Sequence, residues 1–403
     1  MLGKGVPPGF DCNDVVPPPL GEGPWPIVAL APDLAGRCNL ACGYCAEAAT
    51  QPKRHPMSPE VLNMVWRFIF PDGRPKKGYS IRLGSGEPLL ALPILHSISK
   101  LVREGNGSEL EQRPAVFLTT NGTLIDGEVR DWLVSSGWHV KISIDGPKSI
   151  HDRWRVTHSG KGTYEQVATI VADLARRMQG RFSVTAVLCH DADPREVFEA
   201  IADLGVQRIE LVPVAHHDKA VLPNNSDVKR YELFVKEYAR QCLESRATDK
   251  LPTLVRFNNC IVRVMGYDTH RVSCGAGRSF LGVGPDGALY PCFRFIGLES
   301  YRLGRLTTGL DRKAALSFQR GPGRSYEQRT QCRRCWAAPL CGGPCFACSE
   351  MFGPGNGRPL ASHCAYTLAD ARAAVWLVKE LRKHNPKRLL SFLPGCGNLT
   401  DVV

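Results

Sequence analysis

Three cysteines near the N-terminus have a spacing that suits an iron–sulfur cluster. Cys38, Cys42 and Cys45 form a C-x3-C-x2-C triad. Three thiolates on one short loop can bind three irons of a four-iron cluster and leave the fourth iron open to another ligand. Structural zinc loops usually pair two C-x2-C knuckles, so the triad favours a reactive cluster over a zinc site.

A second group of cysteines lies in the C-terminal third of the chain. Its first two members flank Gly287 in a C-x12-G-x4-C pattern, and a C-x2-C-x5-C-x3-C run and one later cysteine follow. Such density in a loop-rich segment predicts a small domain whose core is metal rather than hydrocarbon. In chain order the seven positions are Cys274, Cys292, Cys332, Cys335, Cys341, Cys345 and Cys364.

Composition limits the setting in which these thiols work. The chain has 403 residues and 16 cysteines, and in a reducing cytosol such thiols hold metal or do redox chemistry more often than they form disulfides. The N-terminus lacks the apolar segment of a secretory signal, and no 18 apolar residues run together, so we expect a cytoplasmic protein without a membrane span. The formal charge of +12 is compatible with an acidic peptide partner or a solvated surface, and it gives no reason to expect a nucleic-acid partner.

The elements that must position the triad alternate between strand and helix from about residue 27. Repeated strand–helix pairs imply parallel strands joined by crossovers, and six pairs suffice for a partial (β/α)6 barrel of the α/β class. The predicted strands are Ile27–Ala31, Tyr79–Leu83, Ala115–Thr119, His139–Ile144, Phe182–Leu188 and Arg208–Pro213. The predicted domains are an N-terminal arm (1–26), the barrel (27–225), a bridging helical region (226–272) and a cysteine-rich domain with a C-terminal helix (273–403).

The triad resembles that of the radical S-adenosylmethionine (SAM) superfamily, C-x3-C-x-aromatic-C, in which Tyr44 supplies the aromatic residue. Further motifs follow successive strands: Ser85-Gly86-Glu87 resembles the family's GGEP motif with serine for the first glycine. The resemblance implies one SAM-binding [4Fe–4S] cluster on the triad. It also implies that the following residues contact SAM: Tyr44, Ser85, Gly86, Glu87, Asn121, Ser143, Asp145 and Arg155.

The C-terminal cysteines resemble the SPASM domain, which binds two auxiliary [4Fe–4S] clusters. The resemblance assigns Cys332, Cys335, Cys341 and Cys364 to an outer cluster, and Cys274, Cys292 and Cys345 to an inner one. The fourth inner ligand stays open: no cysteine occurs between 267 and 273, Cys260 is the nearest candidate, and Cys348 is also available. The remaining thiols are expected to be structural or incidental, namely Cys12, Cys189, Cys242 and Cys396.

Two reactions are compatible with this resemblance. Tyr290 to Gly297 and Cys335-Trp336 are similar to runs in maturases of ribosomally made peptides, including SCIFF-like enzymes, so we expect an oxidative crosslink (thioether or carbon–carbon) in a precursor peptide. The alternative is an anaerobic sulfatase-maturating enzyme that forms formylglycine. Those enzymes place an aspartate base directly after the second SPASM cysteine, where this chain has Phe293. Expected partners are the peptide, a low-potential donor such as flavodoxin or ferredoxin, and a separate leader-binding protein; the general base is not identified.

Overall fold

The computed structural model describes residues 25–51, 54–74, 77–104, 113–245, 251–267, 274–321, 323–355 and 357–393. Most of the predicted N-terminal arm lies outside these ranges. Cys12, Cys396 and most of the cysteine-free stretch before Cys274 lie outside them as well.

The strands form one sheet in which the predicted parallel series is the centre. The first six strands pair in chain order, each parallel to the next, which confirms the partial (β/α)6 arrangement. The strands are β1 (Ala29–Pro32), β2 (Ser80–Leu83), β3 (Ala115–Thr120), β4 (His139–Ser143), β5 (Phe182–Leu188), β6 (Arg208–Pro213), β7 (Thr253–Leu254), β8 (Phe280–Val283), β9 (Ala288–Tyr290), β10 (Gly304–Arg305) and β11 (Gly309–Leu310).

The C-terminal region continues the sheet of the barrel. Strand β8 pairs parallel with β1, and β8 to β11 then run antiparallel to one another at that edge. At the other edge, β7 pairs parallel with β6. The cysteine-rich region is therefore joined to the barrel through β1, the strand that leads into the cysteine triad.

Helices cover the outside of the barrel and build most of the C-terminal region. Among the described residues they are α1 (Ala46–Thr50), α2 (Pro59–Ile69), α3 (Leu92–Glu104), α4 (Gly127–Ser135), α5 (Lys148–Trp154), α6 (Tyr164–Arg177), α7 (Pro194–Ala202), α8 (Asn225–Glu244), α9 (Val255–Val264), α10 (Arg312–Arg320), α11 (Thr330–Arg333), α12 (Ala338–Cys341), α13 (Phe346–Phe352) and α14 (Ala361–His384). None of these helices is long and apolar enough to cross a membrane.

The sequence encodes several helix starts directly. The Ser58 hydroxyl accepts a hydrogen bond from the backbone N–H of Val61 at the start of α2, and Pro59 occupies the first helical position. Asp193 caps α7 in the same way, and Asn224 with Asp227 forms a capping box at α8. From these signals and the apolar periodicity the sequence predicts helices over Val61–Phe70 and Pro194–Leu204, which agree with α2 and α7 to within a few residues.

Alternation along the strands gives the barrel its two faces. Side chains of β4 at His139, Lys141 and Ser143 line a central cavity, and Ile142 between them is buried in the hydrophobic core. In β6, Arg208 and Glu210 line the same cavity, while Ile209 and Leu211 belong to the core. Charged and hydroxyl side chains therefore reach an interior whose lining also has apolar members.

The structure corrects one predicted element that bears on the site. The apolar periodicity predicts a final helix over roughly Thr367–Lys383, whereas α14 begins at Ala361, so that Cys364 lies in its first turn. Helix α9 lies within the predicted bridging helical region (226–272). The sequence gives no indication of α5, which is short and has little apolar periodicity.

Candidate active site

The cysteine triad lies on the loop between β1 and α1 and is held by the chain that follows α5. The backbone N–H of Ala41 donates to the carbonyl of Val156 (2.8 Å), and that of Gly43 donates to the carbonyl of Trp154 (3.1 Å). Leu40 and Thr157 form an isolated antiparallel bridge. These bonds fix the loop on both sides of Cys42, so the three thiols are presented by a rigid backbone.

The three thiols of the triad are half-buried and all line the cavity. Burial raises the pKa of Cys42 to about 12, Arg155 opposes this rise, and the neighbouring thiols of Cys45 and Cys38 add to it. The Asn121 side-chain amide points at the sulfur of Cys38 across 3.7 Å. A thiol with so high a pKa binds iron only after losing its proton, so cluster assembly here must release protons.

A buried carboxylate orders the wall beside the triad. Asp145 accepts hydrogen bonds from the Tyr44 hydroxyl (2.5 Å), from Nε of Arg155 (2.8 Å) and from the backbone N–H of Val187 (2.9 Å). The Arg155 guanidinium also lies 5.4 Å from the centre of the Tyr44 ring. Asp145 therefore fixes one cation and one aromatic ring at the cavity surface without facing the cavity itself.

The loops after β2 and β3 are tied together by a second buried carboxylate. Glu87 accepts from the hydroxyl of Thr120 (2.7 Å) and from the backbone N–H groups of Asn121 (2.7 Å) and Leu89 (3.0 Å). Gly86 next to it has φ +59°, and a Cβ there would lie 2.3 Å from the carbonyl oxygen of Arg37. Only glycine fits this close approach between the β2 loop and the triad loop.

Sequence reasoning missed one carboxylate at the site. Glu47 in α1 accepts from the backbone N–H of Gly86 (2.7 Å) and from the hydroxyl of Ser85 (3.2 Å), and burial raises its pKa. Its position two residues after Cys45 is the one signal that could have identified it. Glu47 thus connects helix α1, which directly follows the triad, to the loop that follows β2.

The cavity has a volume of about 760 Å³ and reaches from the triad to the C-terminal cysteines. Of the residues predicted to contact SAM, Tyr44, Gly86, Asn121, Ser143 and Arg155 line it. The other three, Ser85, Glu87 and Asp145, are buried behind this lining and hold its members in place. Contact of each with SAM stays a prediction.

The four cysteines assigned to the outer set come together from three helices and a turn. Cys332 lies in α11, Cys341 ends α12, and Cys364 lies in α14. Burial raises the pKa of Cys364 to about 12, and the thiols of Cys332, Cys341 and Cys335 add to the rise, which shows that the four are neighbours. The early start of α14 brings Cys364 to this group.

The three cysteines assigned to the inner set also meet. Cys292 is buried in an apolar cluster against which Cys274 and Cys345 pack. Cys260 lies on α9, where burial raises its pKa to about 12 and the thiol of Cys341, assigned to the outer set, adds to this rise. Cys260 as the inner fourth ligand stays a prediction.

Arginines lie beside both sets of thiols. Half-buried Arg294 lies beside the inner set, and buried Arg329 lies beside Cys332 and Cys364. Within the described ranges, no group of three or more His, Cys, Asp or Glu side chains is placed to hold a single metal ion. A four-iron cluster is bound differently, because each thiolate ligates its own iron.

Comparison with known proteins agrees with this arrangement. Residues 34–205 match the Radical SAM superfamily. A cysteine-type anaerobic sulfatase-maturating enzyme of Clostridium perfringens is 24% identical over 345 residues, which cover 81% of this chain and 90% of that enzyme. The fold matches that of anSMEcpe solved with AdoMet and the Cp18Cys peptide (TM-score 0.69, 21% identity, 89% of this chain and 99% of that one). It also matches SuiB of Streptococcus suis bound to its precursor peptide SuiA (TM-score 0.54, 15% identity, 80% and 72%).

The predicted radical SAM domain is thereby confirmed over residues 34–205, and it implies SAM and a [4Fe–4S] cluster. The C-terminal region is SPASM-like in fold. The placement of the cluster on the triad stays a prediction.

Proposed function

We propose that this radical SAM protein is a maturase that oxidises a side chain of a polypeptide substrate, after the manner of the sulfatase-maturating enzymes that it resembles. The observation that carries the proposal is the shared cavity, which is lined by Cys42 of the triad and by Cys345 of the inner set. When bound, SAM and the clusters supply a 5′-deoxyadenosyl radical that removes hydrogen from a substrate carbon, and an acceptor for the electron that the substrate then loses.

The chain's own residues prepare the SAM end of the cavity. Arg155 presents a fixed cation, and Asp145 holds it in place so that it need not reorganise when an anionic carboxylate binds. Gly86, Asn121 and Ser143 stand at the ends of three successive strands and line the same face. We assign them to orienting SAM, because polar groups at the carboxyl ends of parallel strands converge on one site.

The lining of the cavity offers fixed charges to a substrate. Lys141 pairs with Glu210 at 2.9 Å, and Arg256 pairs with Asp370 at 3.1 Å, and all four residues line the cavity. Such fixed charges give hydrogen-bonding partners to a peptide backbone. A peptide loop is therefore the proposed occupant.

The auxiliary clusters are proposed as two, on the inner and outer sets. Together with the triad they would make three [4Fe–4S] clusters per chain, reduced by a low-potential donor such as flavodoxin or ferredoxin. Support comes from the grouping of the seven cysteines into two separate sets, each with its own arginine countercharge.

One residue favours a second candidate, the crosslinking of a precursor peptide. Phe293 lines the cavity directly after Cys292, where sulfatase maturases carry an aspartate base. A phenyl ring cannot accept a proton, so formylglycine formation would need another acceptor. Bond formation within the substrate offers a different fate for the substrate radical, and SuiB, which shares the fold, binds a precursor peptide.

Mass spectrometry of peptide products separates the two candidates. We expect the reduced, reconstituted protein to release 5′-deoxyadenosine and to convert a cysteine-containing sulfatase peptide into an aldehyde that reacts with a hydrazide. Loss of two hydrogens without an aldehyde, from a short precursor encoded beside the gene, would select the crosslinking reaction instead. Release of 5′-deoxyadenosine with every such peptide unchanged would contradict a maturase role, and the Cys42→Ala variant provides the background.

A further inference from the structure

The cysteine pattern of the sequence assigns only three ligands to the inner cluster. Cys274, Cys292 and Cys345 converge on one apolar cluster, and a four-iron cluster held by protein alone needs a fourth thiolate. The missing group must lie close to these three.

We propose that Cys348 is the fourth ligand of the inner cluster. Cys345 immediately precedes α13 and Cys348 is its third residue, so the two lie within one helical turn. Cys345 packs against the small apolar cluster that contains Cys348, and both thiols line the cavity. Cys348 is only 5% exposed.

The charges around Cys348 are those of the inner set. The guanidinium of Arg294 faces Cys348, Cys345 and Cys292. One half-buried cation thus serves three thiols, as expected where several thiolates share a cluster with net negative charge.

The other unassigned thiols within the described ranges lie elsewhere. Cys260 neighbours Cys341 of the outer set. Cys189 packs with Tyr44 and Val214, and Cys242 is hydrogen-bonded to Tyr238. Within the described ranges, Cys348 is the unassigned thiol that lies beside Cys345 and Cys292.

A complete set of protein ligands has a consequence that rests on the proposed function. With no open iron, the inner cluster can exchange electrons but cannot bind the thiolate of a substrate. A substrate cysteine would then be held by the cavity wall alone. The ligand assignment itself does not depend on which reaction the protein performs.

Metal analysis and electron paramagnetic resonance (EPR) of anaerobically reconstituted full-length protein test the assignment. We expect one of two results for Cys348→Ala. Either the iron content falls from about twelve to about eight irons per chain, or the variant keeps an altered inner cluster whose EPR signal shifts when 2-mercaptoethanol is added. Cys348→Ser should retain iron with a changed signal, because an alkoxide can replace a thiolate. Cys260→Ala and Cys242→Ala are the matched controls, and both should resemble the wild type.

Two results would overturn the assignment. One is wild-type iron content and spectra in both Cys348 variants; the other is loss of the inner cluster in Cys260→Ala. If the alanine variant does not fold, the serine variant decides. Release of 5′-deoxyadenosine without peptide monitors the triad separately, and a wild type that modifies no peptide would refute the proposed function without touching the ligand count.

Discussion

The two cysteine regions hold their thiols in opposite ways. The triad lies on one short loop, half-buried and open to the cavity, with Arg155 as the cation beside Cys42. The C-terminal thiols come from separate helices and loops. Arg294 serves the inner set, and there a hydrogen bond from Cys348 lowers the pKa of Cys345.

The difference separates a reactive site from supporting ones. A contiguous loop can present three ligands and leave one side free, whereas ligands from distant elements enclose a cluster and tie those elements together. The first arrangement suits a cluster that binds a small molecule. The second suits electron transfer and stability, because metal that joins distant segments contributes directly to folding.

The largest loss of activity is expected when one thiol of the triad is removed. We expect Cys42→Ala to abolish release of 5′-deoxyadenosine, since two thiolates hold a four-iron cluster poorly, while the C-terminal clusters keep about two-thirds of the iron. Cys189→Ala, a buried thiol outside both regions, is the control. Full 5′-deoxyadenosine yield from Cys42→Ala would refute the role of the triad.

The buried ion pair of Asp145 and Arg155 beside the triad should be sensitive to substitution. Asp145→Asn leaves the Arg155 guanidinium buried without its partner, and their side chains are 0% and 9% exposed. We expect a loss of about 3–5 kcal/mol in the free energy of unfolding, together with weaker SAM binding. The exposed pair Arg302–Glu299 provides the control: Glu299→Gln should cost less than about 1 kcal/mol. Equal melting temperatures for the two variants would contradict this reading.

Acid should lower the stability of the protein through protonation of His151, which lies beside Asp145. Burial lowers the pKa of this histidine to about 4; its Nδ1 accepts from the backbone N–H of Asp145, and its Nε2 lies 2.9 Å from the Thr163 hydroxyl. The unfolded chain binds the proton near pH 6.5, so the contribution to stability is present above that pH and is lost as the pH falls toward 4.

The loss amounts to about 3 kcal/mol at most. Melting temperatures of wild type and His151→Gln, measured between pH 7 and pH 4.5, should show a flatter dependence for the variant. Parallel curves would assign the acid sensitivity to other groups.

The outer set should show the smallest effect on the first chemical step. We expect Cys335→Ala to release 5′-deoxyadenosine at the wild-type rate while the yield of modified peptide per 5′-deoxyadenosine falls several-fold. The ratio is measured by chromatography and mass spectrometry of the same reaction. An unchanged ratio would show that the outer cluster is not needed for turnover.

The barrel and the loop of the triad could be predicted from the sequence because their signals are local. Strand alternation, capped helices such as α2, and the triad spacing are each read within about ten residues. The roles of Glu87 and Asp145 could not be read in this way, because each carboxylate is bound by groups from other strands or loops.

The fourth inner ligand shows the same limit. Cys260 and Cys348 both fit the order of cysteines along the chain, and only the packing of α9 and α13 distinguishes them. The predicted start of α14 failed for a related reason: its first turn has little apolar periodicity, although it carries Cys364.

The central claim is that the triad leaves one iron open to SAM. EPR and electron–nuclear double resonance of the reduced protein, recorded with SAM labelled at its amino nitrogen and carboxylate, test it most directly. We predict that the signal of one cluster changes and gains hyperfine coupling to both labels, while the signals of the C-terminal clusters do not change. A spectrum that is the same with and without SAM would contradict the account.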